Sequence, residues 1–277
     1  METKTKKFKI DILNWYKNNK REYSWRETHN PWKILLLEII SQQTQLDRAD
    51  EYFKTFIKEF PNPETMANSS LKKVLSLWSG LGYNNRAKRL YEASKILSKT
   101  GFDELYPNFE VLPGVGPYTN NAILSFAYHE KVLTRDTNVD RVISRYFGLD
   151  KVENFINSNK KLLLNRVSSR DLNQAIMDFG SMVCKSKNPL CHSCALEENC
   201  NKNIVKVAKS REAFSGSNRE LRGALLKFLL NENIASLEMI QKHLTADKVK
   251  LLKAINTLEK DGLITIKKNN LVEINSL

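Results

Sequence analysis

Leu112-Pro113-Gly114-Val115-Gly116-Pro117-Tyr118-Thr119 places two glycines in a tight turn immediately ahead of a helix that begins near Thr119. Glycine lets backbone approach a ligand closely, and the first turn of a helix leaves N–H groups without intrahelical partners, so this geometry can hold a phosphate. The same residues would also serve as a plain connection between two helices. Outward from this turn, breakers recur at Asn30-Pro31, Pro61-Asn62-Pro63 and Gly80-Leu81-Gly82. Between them apolar residues repeat at helical spacing: Phe8, Ile12, Trp15 and Tyr16; Leu71, Val74, Leu75 and Trp78; Val142, Ile143, Tyr146 and Phe147. No run before residue 260 reads as a strand, so the body is predicted to be all-α.

A chain of 277 residues with 41% hydrophobic content can bury a substantial core. Its formal charge of +13 favours an anionic partner, nucleic acid first, because clustered Lys and Arg release counterions on meeting phosphates. Lysine supplies most of that charge, and a run such as Lys4 to Lys9 is also what a solvated face looks like. The basic start, Met1 to Lys9, leads into Ile10-Asp11-Ile12-Leu13-Asn14, which lacks an uninterrupted signal core, and no transmembrane run follows. The expectation is a soluble, intracellular, cytoplasmic protein, nucleoid-associated in a prokaryote.

After Cys200 the chain turns basic and polar through Lys202 to Ser217, which reads as a linker. Helices are predicted near 218–231, 236–244 and 247–261, then a hairpin of Leu263 to Ile266 and Leu271 to Ile274 turning at Lys267 to Asn270. Three helices and a two-stranded hairpin suggest a winged helix, suited to DNA contact or to dimerisation and packing.

Cys184, Cys191, Cys194 and Cys200 are separated by six, two and five residues. A local cluster of this kind is not the dispersed pattern of a disulfide-stapled domain. The uneven spacing suits an iron–sulfur cubane; zinc, which favours paired short knuckles, and plain structural thiols stay open. Lys185 and Lys187, between the first two cysteines, either meet phosphates or stand idle in solvent.

Two carboxylates stand in unlike settings. Glu38 lies in Lys33-Ile34-Leu35-Leu36-Leu37-Glu38-Ile39-Ile40-Ser41-Gln42-Gln43-Thr44, with Ile34 and Leu35 on one side and Ser41 and Gln42 on the other. An acid in such a pocket wall would stay protonated and able to donate; a hydrogen-bonded core glutamate is the other reading. Asp136, ahead of Thr137-Asn138-Val139-Asp140-Arg141-Val142, falls at a helix start that favours its charged form, as a plain cap would also do. A donor acid and a charged acid together suit cleavage of a glycosidic bond through an oxocarbenium-like transition state.

The cysteine spacing, the stretch Asn173 to Gly180 before it, the glycine hairpin, Trp25-Arg26 with Asn30-Pro31, and the Glu38 to Thr44 helix occur in an order that resembles the adenine-glycosylase (MutY) branch of the endonuclease III and helix-hairpin-helix DNA glycosylase superfamily. The likeness runs from about residue 20 to 204. It implies a two-lobed all-α fold with a [4Fe-4S] cluster on Cys184, Cys191, Cys194 and Cys200, and a monomer acting on double-stranded DNA that carries a mispair. The implied regions are an N-terminal helix, 1–26, packing with the iron–sulfur lobe; a helix-hairpin-helix lobe, 27–135; the iron–sulfur lobe, 136–204; a linker, 205–217; and a winged-helix-like domain, 218–277.

By this resemblance Glu38 protonates the purine N7, Asp136 stabilises the positive sugar, and Tyr118 and Asn138 keep the site in order. Arg26, Gln42, Gln43, Tyr83, Gly114, Val115, Gly116 and Thr119 would contact DNA, with Gln43 and Tyr83 entering the base stack. Tyr118 stands where lyase-type members carry lysine, so a monofunctional enzyme is expected, excising adenine opposite guanine or 8-oxoguanine. Where typical adenine enzymes carry a larger C-terminal domain, a winged-helix-like region is expected here, which puts recognition of 8-oxoguanine in question. Tyr118 with Asp136 also resembles a branch that removes thymine or uracil opposite guanine. An iron–sulfur winged-helix regulator is the alternative of another class, and it leaves Glu38, Tyr118 and Asp136 without a role.

Overall fold

A computed structural model describes residues 2–202 and 215–275. Its elements are α1 (Glu2–Asn19), α2 (Pro31–Ser41), α3 (Leu46–Glu59), α4 (Pro63–Ala67), α5 (Leu71–Trp78), α6 (Asn85–Thr100), α7 (Pro117–Phe126), α8 (Thr137–Phe147), α9 (Val152–Leu164), α10 (Ser169–Met182), α11 (Asn218–Glu232), β1 (Ile234–Ser236), α12 (Leu237–Leu244), α13 (Lys248–Lys260), β2 (Ile264–Ile266) and β3 (Leu271–Ile274). Short polar side chains start many of the helices. Asn62, Ser70, Asp136, Ser168, Ser217, Ser236 and Asp247 each accept a backbone N–H of the first turn that follows, at about 1 kcal/mol apiece.

The chain divides into two compact units: Met1–Leu35 with Gly116–Lys209, and Leu36–Val115 with Ser210–Leu277. These boundaries differ from the predicted ones at 26/27 and 135/136, and hydrogen bonds explain why. Arg170 donates to the carbonyls of Arg26 and Thr28, both at 2.6 Å, which holds the segment after α1 to α10. Asn173 Nδ2 donates to Ser125 Oγ at 3.0 Å and Ser125 Oγ lies 3.0 Å from Ser169 Oγ, which ties α7 to α10. The predicted linker, 205–217, lies outside the described residues except for 215–217.

In the first unit α1 buries Phe8, Ile12 and Tyr16, four residues apart, against Val142, Ile143 and Tyr146 of α8 and Leu172, Ile176 and Phe179 of α10. Each such side chain contributes roughly 1.5–3 kcal/mol by leaving water. In the second unit Phe56 of α3 meets Trp78 of α5 edge-on, ring centroids 5.7 Å apart. Its C-terminal part runs α11-β1-α12-α13-β2-β3, a winged-helix order, with an antiparallel sheet ordered β1-β3-β2. Ala235 pairs with Val272, and Ile264 with Ile274. The hairpin matches the prediction, whereas β1 corrects the view that no strand precedes residue 260. Three residues give no readable alternation, and β1 exists only because β3 offers its free edge.

Among the described residues no helix is long and apolar enough to cross a membrane.

Candidate active site and DNA-contacting surface

Asp136 is the N-cap of α8. Its Oδ1 accepts the backbone N–H groups of Asn138 at 2.9 Å and Val139 at 2.7 Å, and its Oδ2 accepts Asn138 Nδ2 at 2.8 Å. Three N–H donors and a helix start hold one carboxylate in one orientation. Asn138 is in turn fixed by Arg141, whose Nη2 donates to Asn138 Oδ1 at 2.7 Å and to the Gly180 carbonyl at 2.6 Å, while its Nε reaches the Cys184 carbonyl at 2.7 Å. Burial lowers the Arg141 pKa, against the pull of the neighbouring Cys184. Gly180 is what allows α8 and α10 to come this close, since a Cβ there would lie 2.7 Å from Asn138 Cβ. A chain of hydrogen bonds thus joins Asp136 to the first cysteine of the loop.

The four cysteines occupy the loop that leaves α10, none is in a disulfide, and Cys184, Cys194 and Cys200 pack on the core of the first unit. Arg145 Nη1 and Lys202 N each lie 3.4 Å from a sulfur, those of Cys184 and Cys200 respectively. Burial pushes the Cys194 thiol up to about 11, so at neutral pH it keeps its proton unless a metal displaces it. Among the described residues no three His, Cys, Asp or Glu side chains stand close enough together to hold a metal ion. The donor chemistry fits a thiolate-bound group all the same: four thiols on one loop, with N–H groups directed at two of the sulfurs. Lys185 and Lys187 line a cleft of about 1000 Å³ together with Asn138, Arg141 and Arg145.

Glu38 sits in α2, 7% exposed, between Leu37 and Ile39, both buried. Where α2 ends, Arg86 fills the place of a capping group. Its guanidinium donates to the carbonyls of Ile39 at 3.2 Å, Ile40 at 3.0 Å, Gly82 at 3.1 Å and also Gln42. Burial lowers its pKa to about 10, so it stays charged at neutral pH and satisfies carbonyls that α2 leaves unpaired. This one side chain joins the Gln42-Gln43 turn to the Gly80 to Tyr83 turn. Gln43 and Tyr83 both take left-handed backbone, φ +58° and +48°, and Tyr83 is 39% exposed. Exposed side chains on such turns fit a surface made for contact.

In the hairpin Gly114 has φ +86°, and a Cβ there would lie 3.1 Å from Arg89 Cβ, so both conformation and space call for glycine. Val115 N donates to the Leu112 carbonyl at 3.1 Å, Gly116 precedes α7, and Pro117 opens it. Thr119 is only 2% exposed, so a phosphate contact at this position would come from backbone N–H and not from the hydroxyl. Tyr118 is half-buried in the same first turn.

Arg26 is held inside the first unit. The expected DNA contact is 6% exposed, and its Nη2 is spent on both oxygens of fully buried Asp178, at 2.7 and 2.8 Å, while Nη1 reaches Tyr16 Oη at 3.0 Å and Gln174 at 3.1 Å. It is an internal strut of the first unit. Sequence reasoning in turn missed Arg86, Arg141 and Gly180. Their partners lie about 40 residues away in the chain, and no local spacing marks such links.

The profile of the HhH-GPD superfamily base excision DNA repair proteins matches residues 36–165. An adenine DNA glycosylase of Mycobacterium tuberculosis (strain CDC 1551 / Oshkosh) is 32% identical over 273 residues, covering 92% of this chain and 89% of that protein. One of Buchnera aphidicola subsp. Baizongia pistaciae is 38% identical over 201 residues, 68% of this chain. The aligned part spans 56% of that Buchnera relative's length. Among solved structures, a thermostable thymine-DNA glycosylase is similar with TM-score 0.66 and 27% identity, covering 72% of this chain and 96% of that one. An endonuclease III in a non-covalent DNA complex shares the fold at TM-score 0.60 and 21% identity, over 73% and 96% of the two chains.

Proposed function

Because this chain belongs to the HhH-GPD superfamily of base excision DNA repair proteins, in its adenine DNA glycosylase branch, we propose that it is a monofunctional glycosylase that removes adenine mispaired with guanine or 8-oxoguanine. The observation that carries the reading is the Asp136 carboxylate, held by three N–H donors at the start of α8 in a chain that aligns over 92% of its length with an adenine enzyme.

In this reading the target nucleotide leaves the duplex of double-stranded DNA, at about a few kcal/mol and less at a mispair. Glu38 donates a proton to the purine N7; the C1′–N9 bond breaks and its electron pair leaves with the base. Asp136 stabilises the positive charge on the sugar. Water adds to C1′ and loses a proton, leaving free adenine and an abasic site. The turn at Gly114, Val115 and Gly116, with the N–H groups of the first turn of α7, holds a backbone phosphate, and Gln42, Gln43 and Tyr83 support the gap in the stack. Tyr118 offers no amine, so no Schiff base forms there.

Cys184, Cys191, Cys194 and Cys200 would hold a [4Fe-4S] group, which when bound supplies four iron–thiolate bonds that tie the loop together. Arg141 and Arg145 then brace that loop against α8, and Asp136 with it.

A second reading, thymine or uracil removal opposite guanine, is favoured by Tyr118 and by the fold shared with the thymine enzyme. Single-turnover cleavage of A:8-oxoG, A:G, T:G and U:G duplexes separates the two, with Glu38→Gln and Asp136→Asn as controls. Adenine released from the first two duplexes and lost in both variants is expected. Cleavage of T:G or U:G with the adenine duplexes intact overturns the adenine reading, and intact bases in all four overturn the enzyme.

A further inference from the structure

Two guanidinium groups lie against Tyr83. Arg86, of its own part of the unit, lies with Cζ 5.7 Å from the ring centroid, and Arg219 of α11 lies at 5.5 Å. Arg219 Nη1 also donates to the Tyr83 Oη at 2.7 Å. The second guanidinium comes from the C-terminal winged-helix region, to which neither the glycosylase chemistry nor the cysteine loop assigns any task. Its placement is anchored independently. Lys88 Nζ of α6 donates to the Asp261 carbonyl at 2.9 Å, the Asp261 carboxylate receives Arg222, and Ser217 caps α11 one residue before its first turn.

Around Tyr83 these groups leave a cavity of about 420 Å³ lined by Gln42, Gln43, Asn84, Arg89, Asn218 and Arg219 among others. Among the described residues Asp261 is its one carboxylate, and Arg222 already engages it. The lining is therefore rich in donors and amides around one aromatic ring. An exposed tyrosine on a left-handed turn would otherwise sample several orientations. A hydrogen bond at its hydroxyl and cations beside its ring select one before any ligand arrives, the general advantage of preorganisation.

We propose that Arg219 is a positioning residue for Tyr83, through which the C-terminal region takes part in recognising the base that stays behind in the duplex. This rests on the reading of Tyr83 as a residue that enters the base stack. Arg219 sets the ring's posture, and the donor-rich cavity beside it suits the acceptor edge of a carbonyl-bearing purine, O6 and N7 in guanine. The region would thus share in mispair recognition on the strand opposite the target.

The test uses the full chain with its cluster, as wild type, Arg219→Ala, Arg219→Lys and Tyr83→Phe. Duplexes carry a non-cleavable adenine analogue opposite guanine, 7-deazaguanine or thymine, with 2-aminopurine beside the opposite base as a stacking reporter. In Arg219→Ala, Kd for the guanine duplex is expected to rise about tenfold relative to the thymine duplex, and the 2-aminopurine change on binding should shrink. Tyr83→Phe, which keeps the ring and loses the hydroxyl, should fall between, and Arg219→Lys should recover part of both signals. An unchanged guanine-to-thymine ratio and reporter signal overturn the proposal, as does an equal loss on every duplex, which marks a plain phosphate contact. Should Arg219→Ala fail to fold, Tyr83→Phe decides: wild-type behaviour in both readouts overturns the proposal. Cleavage by the wild type reports separately on the adenine reading, because the binding and stacking readouts need no chemistry and can be repeated on whichever mispair is cut.

Discussion

Arg26→Gln should cost the protein stability while leaving its grip on DNA untouched. Asp178 has no solvent exposure and takes Arg26 Nη2 at both oxygens and the partly exposed Arg21 Nε at 2.9 Å, so the three side chains form one ionic cluster around a buried carboxylate. Breaking a buried pair outright costs about 3–5 kcal/mol, and with Arg21 still bound to Asp178 the loss of Arg26 should cost about 2–4 kcal/mol. For a chain of this size each kcal/mol moves the melting temperature by about 2–4 °C, so a fall of roughly 4–16 °C is expected. Asp178→Asn should cost a similar amount, because it strands the same two guanidinium groups. The double variant should cost clearly less than the sum of the singles, since the two changes remove the same contact between Arg26 and Asp178.

Calorimetry on all four proteins gives the cycle. Kd against salt concentration for a mispaired duplex gives the other half of the test. A phosphate contact at Arg26 would lower the slope of log K against log salt by about 0.9, whereas a strut leaves it unchanged. A melting temperature within a degree or two of wild type, additive costs, or a reduced salt slope would each refute the assignment.

Gly180→Ala drives a methyl group to 2.7 Å from Asn138 Cβ, which should cost about 1–3 kcal/mol and slow single-turnover cleavage by shifting Asn138 away from Asp136; a stable variant with a full rate contradicts the link between α8 and α10. Arg86→Met strands several carbonyls around the end of α2 and should cost about 3 kcal/mol in urea titration, a cost absent if water can replace the guanidinium. Asp136→Asn keeps the cap geometry but not the charge, and should lower the single-turnover rate by at least about 10²-fold with duplex affinity largely kept. Cys194→Ser should lower bound iron and the visible absorption of anaerobically purified protein, and stoichiometric zinc in fresh wild type would overturn the iron assignment.

Much of the fold is written in local pattern. The 3.6-residue repeats of Phe8, Ile12 and Tyr16 or of Val142, Ile143 and Tyr146 mark the core faces, Asp136 sits at the helix start predicted for it, and α7 begins at Pro117, two residues ahead of the predicted start near Thr119. The winged-helix elements fall within a residue or two of their predicted ends because capping and turn residues flank each one. What stayed illegible depends on partners distant in the chain. The unit boundaries follow from Arg170 and Asn173 reaching back about 40 to 140 residues, and Arg26 looks like any surface arginine until Asp178 is seen beneath it. The resemblance points to Tyr83 as a contact residue, but no spacing links it to Arg219, 136 positions later.

The tie between α1 and α10 bears on how the polypeptide is made. Tyr16 Oη donates to Gln174, 158 positions further on, and Phe8 and Ile12 of α1 face apolar side chains of α8 and α10 in the same core. At ribosomal rates of about 5–20 residues per second, the amino-terminal helix emerges on the order of ten seconds before its partner strip exists. Over that interval its apolar stripe faces water or a chaperone. Synthesis rate and temperature should therefore govern the yield of active protein more steeply than equilibrium stability alone would suggest.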